Sequence, residues 1–330
     1  MFGHLPRASL ALLPTPLERG PELAGGQRLW VKRDDLTGLG MGGNKVRKLE
    51  FLCGDAIRTG ARSLLTVGAA QSNHCRLTAA AGAVLGLEVH LVLSGERPDR
   101  PTGNQLLSAL FGAQLHYTGA HESHWGELMI AADSLAEALA ADGAAPYEMP
   151  IGGSTATGAV GYAAAFVELM EQCVAMGVEP AAIVHTSSSG GTHAGLVAGR
   201  ALWRSLGHRV PEILAIGVAK GVNIGIPDVV GLAGDALELL GQSADLVDAA
   251  DVQLDADWLG DDYAVPTTAG DDAMRWAAAA GGWVLDRTYT GKGLAGLLGN
   301  AADGRWPRHA DVIFVHTGGM PAVFTPGGTP

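Results

Sequence analysis

Apolar residues along the 330-residue chain fall into two recurring patterns. Short β-type runs occur at positions 29–32, 63–67, 88–93, 114–117, 146–150, 182–186, 213–218 and 312–316. Between them lie Ala- and Leu-rich stretches with helical spacing, such as 134–141 and 162–176. The alternation predicts an α/β fold of parallel sheets flanked by helices. Nothing repeats at a period of about 20–50 residues and no low-complexity linker splits the chain, so composition alone marks no domain boundary. Ligands of such sheets lie beyond the carboxyl ends of the strands, which directs attention to the loops that follow the apolar runs.

Three of those loops carry chemistry. Lys45 follows a Gly42-Gly43-Asn44 turn, and Lys48, Leu49, Phe51, Leu52 and Ile57 recur behind it at helical spacing, which puts Lys45 at a helix N-terminus. The positive end of the helix dipole disfavours its ammonium by a few tenths to about 1 kcal/mol, poor for a structural lysine but useful for one that must lose a proton to form a Schiff base. A solvated first-turn lysine is the alternative. The segment 185–195, with Ser187-Ser188-Ser189-Gly190-Gly191-Thr192 at its centre, joins a strand run to a helical pattern, and its N–H groups and hydroxyls suit a phosphate. A close-packed turn of small residues would read the same way. Gln71-Ser72-Asn73-His74 follows the run ending at Gly68 and opens another helix; its donors suit a carboxylate, although Ser72 also reads as an ordinary N-cap. A tethering lysine and a phosphate cradle in one α/β chain point to pyridoxal 5′-phosphate.

Other classes fall away. A formal net charge of −12 argues against nucleic-acid or anionic-membrane partners. The N-terminus lacks a secretory signature and no apolar run reads as long enough to span a bilayer, so a cytoplasmic enzyme is expected. Cys53, Cys75 and Cys173 have no paired spacing, so neither disulfides nor a metal site are expected. Gly38, Gly40 and Gly43 satisfy a dinucleotide-type spacing, yet Arg33-Asp34-Asp35 intervenes after the strand and no acidic residue lies near position 63. Gly291-Lys292 lacks the rest of a Walker loop, and neither a nucleophile elbow around Ser154 nor a zincin motif is present.

Taken in order, Pro14-Thr15-Pro16-Leu17, Lys32-Arg33-Asp34-Asp35, the Lys45 segment, Gln71-Ser72-Asn73-His74, Gly152-Gly153-Ser154, the Ser/Gly loop, Tyr289-Thr290-Gly291-Lys292 and His316-Thr317-Gly318-Gly319 resemble the D-cysteine desulfhydrase and 1-aminocyclopropane-1-carboxylate deaminase family. These are fold-type II pyridoxal phosphate enzymes of tryptophan synthase β-like architecture. The resemblance implies two lobes with the cofactor in the cleft between them: a smaller lobe at roughly residues 46–160, and a larger one built from 1–45 and 161–330. It implies Lys45 as tether and base, Lys48 with Ser189, Gly190, Gly191 and Thr192 at the phosphate, and Asn73 at the cofactor's phenolic oxygen. Ser72, Asn73 and His74 would hold the substrate carboxylate, with Ser72 assisting proton transfer. Tyr263 and Tyr289 match active-site tyrosines, whereas Tyr147 and Tyr162 read as packing residues. The family also suggests a homodimer.

Two positions bear on the activity. The ring-opening deaminases carry glutamate and leucine where this chain has Thr290 and Thr317, and Ser-Asn-Gln where it has Ser-Asn-His. A threonine hydroxyl at the ring nitrogen leaves the pyridine largely neutral, which suits β-elimination of a good leaving group such as thiolate. The resemblance therefore implies D-cysteine desulfhydrase activity on a small amino acid. Lyases of L-cysteate, D-serine or 3-chloroalanine stay open, because Gly152-Gly153-Ser154-Thr155 and Arg287-Thr288 depart from the desulfhydrase pattern. A ring-opening deaminase and a non-catalytic cofactor-binding relative are the further alternatives.

Overall fold

The computed structural model describes residues 2–121, 124–144, 146–219 and 226–330, without the side chains of 226 and 227. The first half of the chain forms β1 (Leu17–Glu22), β2 (Arg28–Lys32), α1 (Lys45–Arg58), β3 (Ser63–Gly68), α2 (Asn73–Leu85), β4 (Glu88–Leu93), α3 (Gly103–Leu110), β5 (Gln114–Tyr117), α4 (Trp125–Ala141) and β6 (Tyr147–Met149). The second forms α5 (Ala156–Met176), β7 (Pro180–Ser187), α6 (Gly191–Ser205), β8 (Glu212–Gly217), α7 (Ile226–Leu239), β9 (Gln253–Asp255), α8 (Thr268–Gly281), α9 (Thr290–Ala302) and β10 (Asp311–Val315).

Two sheets result. One, in the order β5-β4-β3-β6, is parallel throughout; the other runs β1-β2-β10-β7-β8-β9 and is parallel except for the antiparallel β1–β2 edge. The central strands β3, β7, β8 and β10 are nearly continuous in apolar residues because both faces of each sheet are covered. In β10, Ile313 and Val315 point into one core, and Val312 and Phe314 into the core on the opposite face. In β3, Leu64 and Leu65 divide in the same way.

Helix α1 links the sheets. Val46, Leu49 and Leu52 pack into the core beside β3 and β4, while Phe51 joins the core that α5 and α6 share with β7 and β10. At the crossing with α5, a Cβ at Gly161 would lie against the carbonyl of Arg47 and the backbone of Lys48, so only glycine lets the helices approach this closely. Beneath it, Arg47 donates to Asp34 and Glu168, Lys32 to Glu168, and Tyr162 Oη to Asp34 Oδ2 at 2.6 Å, all buried or nearly so.

One sequence expectation is corrected. Among the described residues α5, with 21 residues and a mean hydropathy of 1.2 over its most apolar window, is long and apolar enough to cross a membrane. Here it is a core helix, packed between α1 and α6 and carrying Glu168 in the ion network. Its apolarity comes from being covered on both sides.

Candidate active site

Lys45 opens α1, as its turn predicts. Gly43 N–H donates to Thr37 Oγ1 at 2.8 Å, and Asn44 N–H donates to the carbonyl of Thr317 at 3.0 Å. Gly42 and Gly43 have φ of +70° and +133°, and a Cβ at Gly42 would strike the carbonyl of Asp35. The Lys45 ammonium has no hydrogen bond or ion pair within reach among the described residues, and burial pulls its pKa down to about 8. Desolvation of the buried amine is the cause. The Gly38–Gly43 loop turns the carbonyls of Gly40 and Gly42 onto the Arg76 guanidinium, a polarity that suits no phosphate.

Ser72 caps α2, its Oγ accepting from Cys75 N–H at 3.2 Å, and it lines the cavity. The capping reading is borne out, at a residue that also lines the cavity. The His74 ring lies beneath the loop. Thr66 Oγ1 gives its proton to the carbonyl of Met149, so His74 Nε2, 3.1 Å from that hydroxyl, must be the donor. Burial first, then the charges of Lys48 and Lys45, hold His74 neutral, with a pKa well below the ordinary value.

The Ser/Gly loop joins β7 to α6, with Gly190 at φ +81° as the residue before the helix. Lys48 Nζ is buried against it and donates to the carbonyl of Gly152 at 2.6 Å and to Ser154 Oγ at 3.3 Å. Ser154 Oγ donates to Ser189 Oγ at 2.8 Å and accepts from Gly191 N–H. Thr192 Oγ1 accepts from Asn44 Nδ2 at 3.0 Å, fastening the Lys45 turn to the Ser/Gly loop. Burial, and then Lys45, press the pKa of Lys48 far down, and neither lysine has a carboxylate partner among the described residues. This donor set, backbone N–H groups at a helix start with three hydroxyls and an ammonium, fits a phosphate dianion.

One cavity is lined by Lys45, Ser72, Asn73, His74, Ser189, Tyr263, Tyr289 and Thr317. The phenol oxygens of Tyr263 and Tyr289 are in hydrogen-bond contact, and Trp125 stands edge-on to the Tyr263 ring at 5.5 Å. Lys48, Gly190, Gly191, Thr192 and Thr290 lie behind this wall, and Tyr147 and Tyr162 bond to Asp55 and Asp34 away from it.

Thr290 is fully buried. Its hydroxyl donates to Asp286 Oδ2 at 2.8 Å and accepts from Asp286 N–H at 2.9 Å, and it is Asp286 that reaches the wall. Burial raises the Asp286 pKa against the opposing pull of the N–H groups of Tyr289, Thr290 and Thr288 and the Thr290 hydroxyl. Sequence reading missed Asp286, along with Asn44, Trp125 and the contacts of Ser154 with Ser189 and Gly191. Lys292 is structural: its Nζ donates to the carbonyl of Leu259 and holds the chain that leads to Tyr263.

Two sheets meeting at a cavity, with an unpaired lysine at one helix start and a phosphate-type cradle at another, define a fold-type II pyridoxal phosphate enzyme. The chain belongs to the family described as pyridoxal-phosphate dependent enzymes, whose model matches residues 8–318. It is 41% identical over 332 aligned positions to a D-cysteine desulfhydrase of Salmonella choleraesuis, covering 97% of this chain and 96% of that one. A solved ACC deaminase homologue superposes with a TM-score of 0.87 at 35% identity, over 98% of this chain and 94% of the other. A fungal L-serine ammonia-lyase from Rhizomucor miehei, at 19% identity and a TM-score of 0.66 over 95% and 96% of the two chains, shares the fold.

Proposed function

We propose that the protein is a D-cysteine desulfhydrase, converting D-cysteine and water to pyruvate, hydrogen sulfide and ammonia. The observation that carries the reading is the convergence of the unpaired Lys45 amine, the Ser72 hydroxyl and the Tyr263–Tyr289 pair on one cavity. It is supported by 41% identity to the Salmonella enzyme of that name. Pyridoxal phosphate, when bound, supplies an electron sink for charge developing at the amino acid's Cα. The protein's part is positional. Lys45, with its pKa near 8, tethers the cofactor and moves the Cα proton. Ser189, Gly190, Gly191 and Thr192 with Lys48 hold the phosphate, and Asn73 serves the phenolic oxygen. The start of α2, at Ser72, Asn73 and His74, holds the substrate carboxylate, with Ser72 and Tyr289 facing the leaving sulfur. Thr317, with Thr290 held on Asp286, would serve the pyridine nitrogen of the cofactor. Residues 46–160 would form the smaller lobe, and 1–45 with 161–330 the larger.

The setting that suits this chemistry is a cytoplasmic homodimer acting on a free amino acid, with no membrane or nucleic-acid partner; the three cysteines are unpaired and buried. Ring-opening deamination is the second reading, favoured by the overlap with the ACC deaminase homologue and by the Asp286 carboxylate beside Thr290. Sulfide and pyruvate release from D-cysteine, compared with L-cysteine and 1-aminocyclopropane-1-carboxylate, decides between them. Efficient opening of the cyclopropane substrate with both cysteine enantiomers untouched would overturn the desulfhydrase reading.

A further inference from the structure

Asn73 can serve an electron-rich oxygen in the cleft only if the amino end of its amide faces the cavity. Its neighbours decide which end does. Asn104, the second residue of α3, is 1% exposed, and its Nδ2 donates to two oxygens: the backbone carbonyl of Gln71 at 2.8 Å and Asn73 Oδ1 at 3.0 Å. A backbone carbonyl can only accept, so the amino group of Asn104 must face Gln71. The second hydrogen of that same group then points at Asn73, which has to meet it with Oδ1. The Asn73 amino group is left for the cavity that Asn73 lines.

The rest of the contact secures this. Asn104 N–H donates to Gln71 Oε1 at 2.8 Å, Gln71 Nε2 donates to the carbonyl of Thr102, and Ser108 Oγ donates to the carbonyl of Asn104. The arrangement leaves Asn104 Oδ1 buried without a partner among the described residues. A residue kept only for packing would not need that uncompensated carbonyl.

We propose that Asn104 is a positioning residue of the active site, which turns the Asn73 amide so that its N–H donors meet the phenolic oxygen of the pyridoxal ring. The inference rests on the cofactor reading above and adds a residue outside the cavity wall to it.

A double-mutant cycle tests it. Cofactor-stripped wild type, Asn104→Leu, Asn73→Leu and the double variant are titrated with pyridoxal 5′-phosphate, and affinity and the pH midpoint of the visible band are read. Asn104→Leu alone should weaken cofactor binding about tenfold, as one hydrogen bond to a charged group is lost. It should raise the midpoint by about half a unit or more, because an oxygen anion without donors holds a neighbouring proton more tightly. In the Asn73→Leu background the same substitution should do neither. Equal effects in both backgrounds, or none in either, would overturn the proposal. If circular dichroism shows Asn104→Leu unfolded, Asn104→Asp keeps the volume and carries the same cycle, with Asn73 then expected to turn its carbonyl to the cleft. A visible band unchanged in Lys45→Ala would sink the cofactor reading instead, which keeps the two failures apart.

Discussion

An amine that is half-buried without a counter-charge stores a measurable pH dependence. Lys45 titrates at 10.5 when exposed and at about 8 in the folded protein. Between those values the unfolded chain holds more protons than the folded one, so this group makes stability rise with pH across that window; below about 8 its burial cost is present in full. Cofactor-free Lys45→Met should therefore be more stable than wild type by about 1–3 kcal/mol at pH 7, the gap closing toward pH 10.5. Urea titrations of both proteins across that range check it, and a constant gap would contradict the shift. Lys45 was legible in the sequence because a turn and a helical period flank it. Asp286 was not, because its importance comes from accepting four hydrogen bonds from residues 288–290 while facing a cavity formed by distant segments. Asn44 and Ser154 escaped for the same reason: their partners, Thr192 and Ser189, are 148 and 35 positions away.

Helix α5 is the element against which the cavity is built. Gly161 admits α1, and Gly195 and Gly199 of α6 lie where a Cβ would strike Tyr162 and Phe166 of α5. The helix bearing Lys45 and Lys48 and the helix that follows the Ser/Gly loop thus share one support. Gly161→Ala should force α1 outward, destabilise the fold by about 1–3 kcal/mol and weaken cofactor affinity at the same time. Gly126→Ala on α4, where a Cβ meets nothing within 4 Å, should instead be neutral or stabilising by up to about 1 kcal/mol, with affinity unchanged. Thermal melts and cofactor titrations of the pair separate a local steric effect from a general one. The sequence pattern revealed the strands covered on both faces, and with them the two edges β5 and β6 of the four-stranded sheet. β1 was missed because Leu17-Glu18-Arg19-Gly20-Pro21-Glu22 is a charged edge strand with an irregular register, and β9 because Gln253-Leu254-Asp255 is an edge strand with a single apolar residue.

At the scale of the molecule, the cavity draws residues from both sheets: Gly68 ends β3 and Ser72 follows it, and Thr186, Ser189 and Thr317 lie at the end of or after β7 and β10. A ligand held there adds its binding free energy to the contact between them. Pyridoxal phosphate at a hundred times its dissociation constant should stabilise the protein by about 2.7 kcal/mol in a single melting transition. Calorimetry showing two transitions, only one of them responsive, would mean that the sheets unfold separately and that the cofactor belongs to one.

The Gly42–Lys45 turn is fastened in three directions. Thr317 takes its Asn44 N–H and Thr192 takes the Asn44 side chain, both on the side of the six-stranded sheet, while Arg76 of α2 grips the carbonyl of Gly42 from the four-stranded side. A point tied to two bodies is the one that travels least when they swing past each other. The Lys45 amine, one residue beyond this fastening, is thereby anchored to both sheets at once, at the place where the cavity draws on each of them.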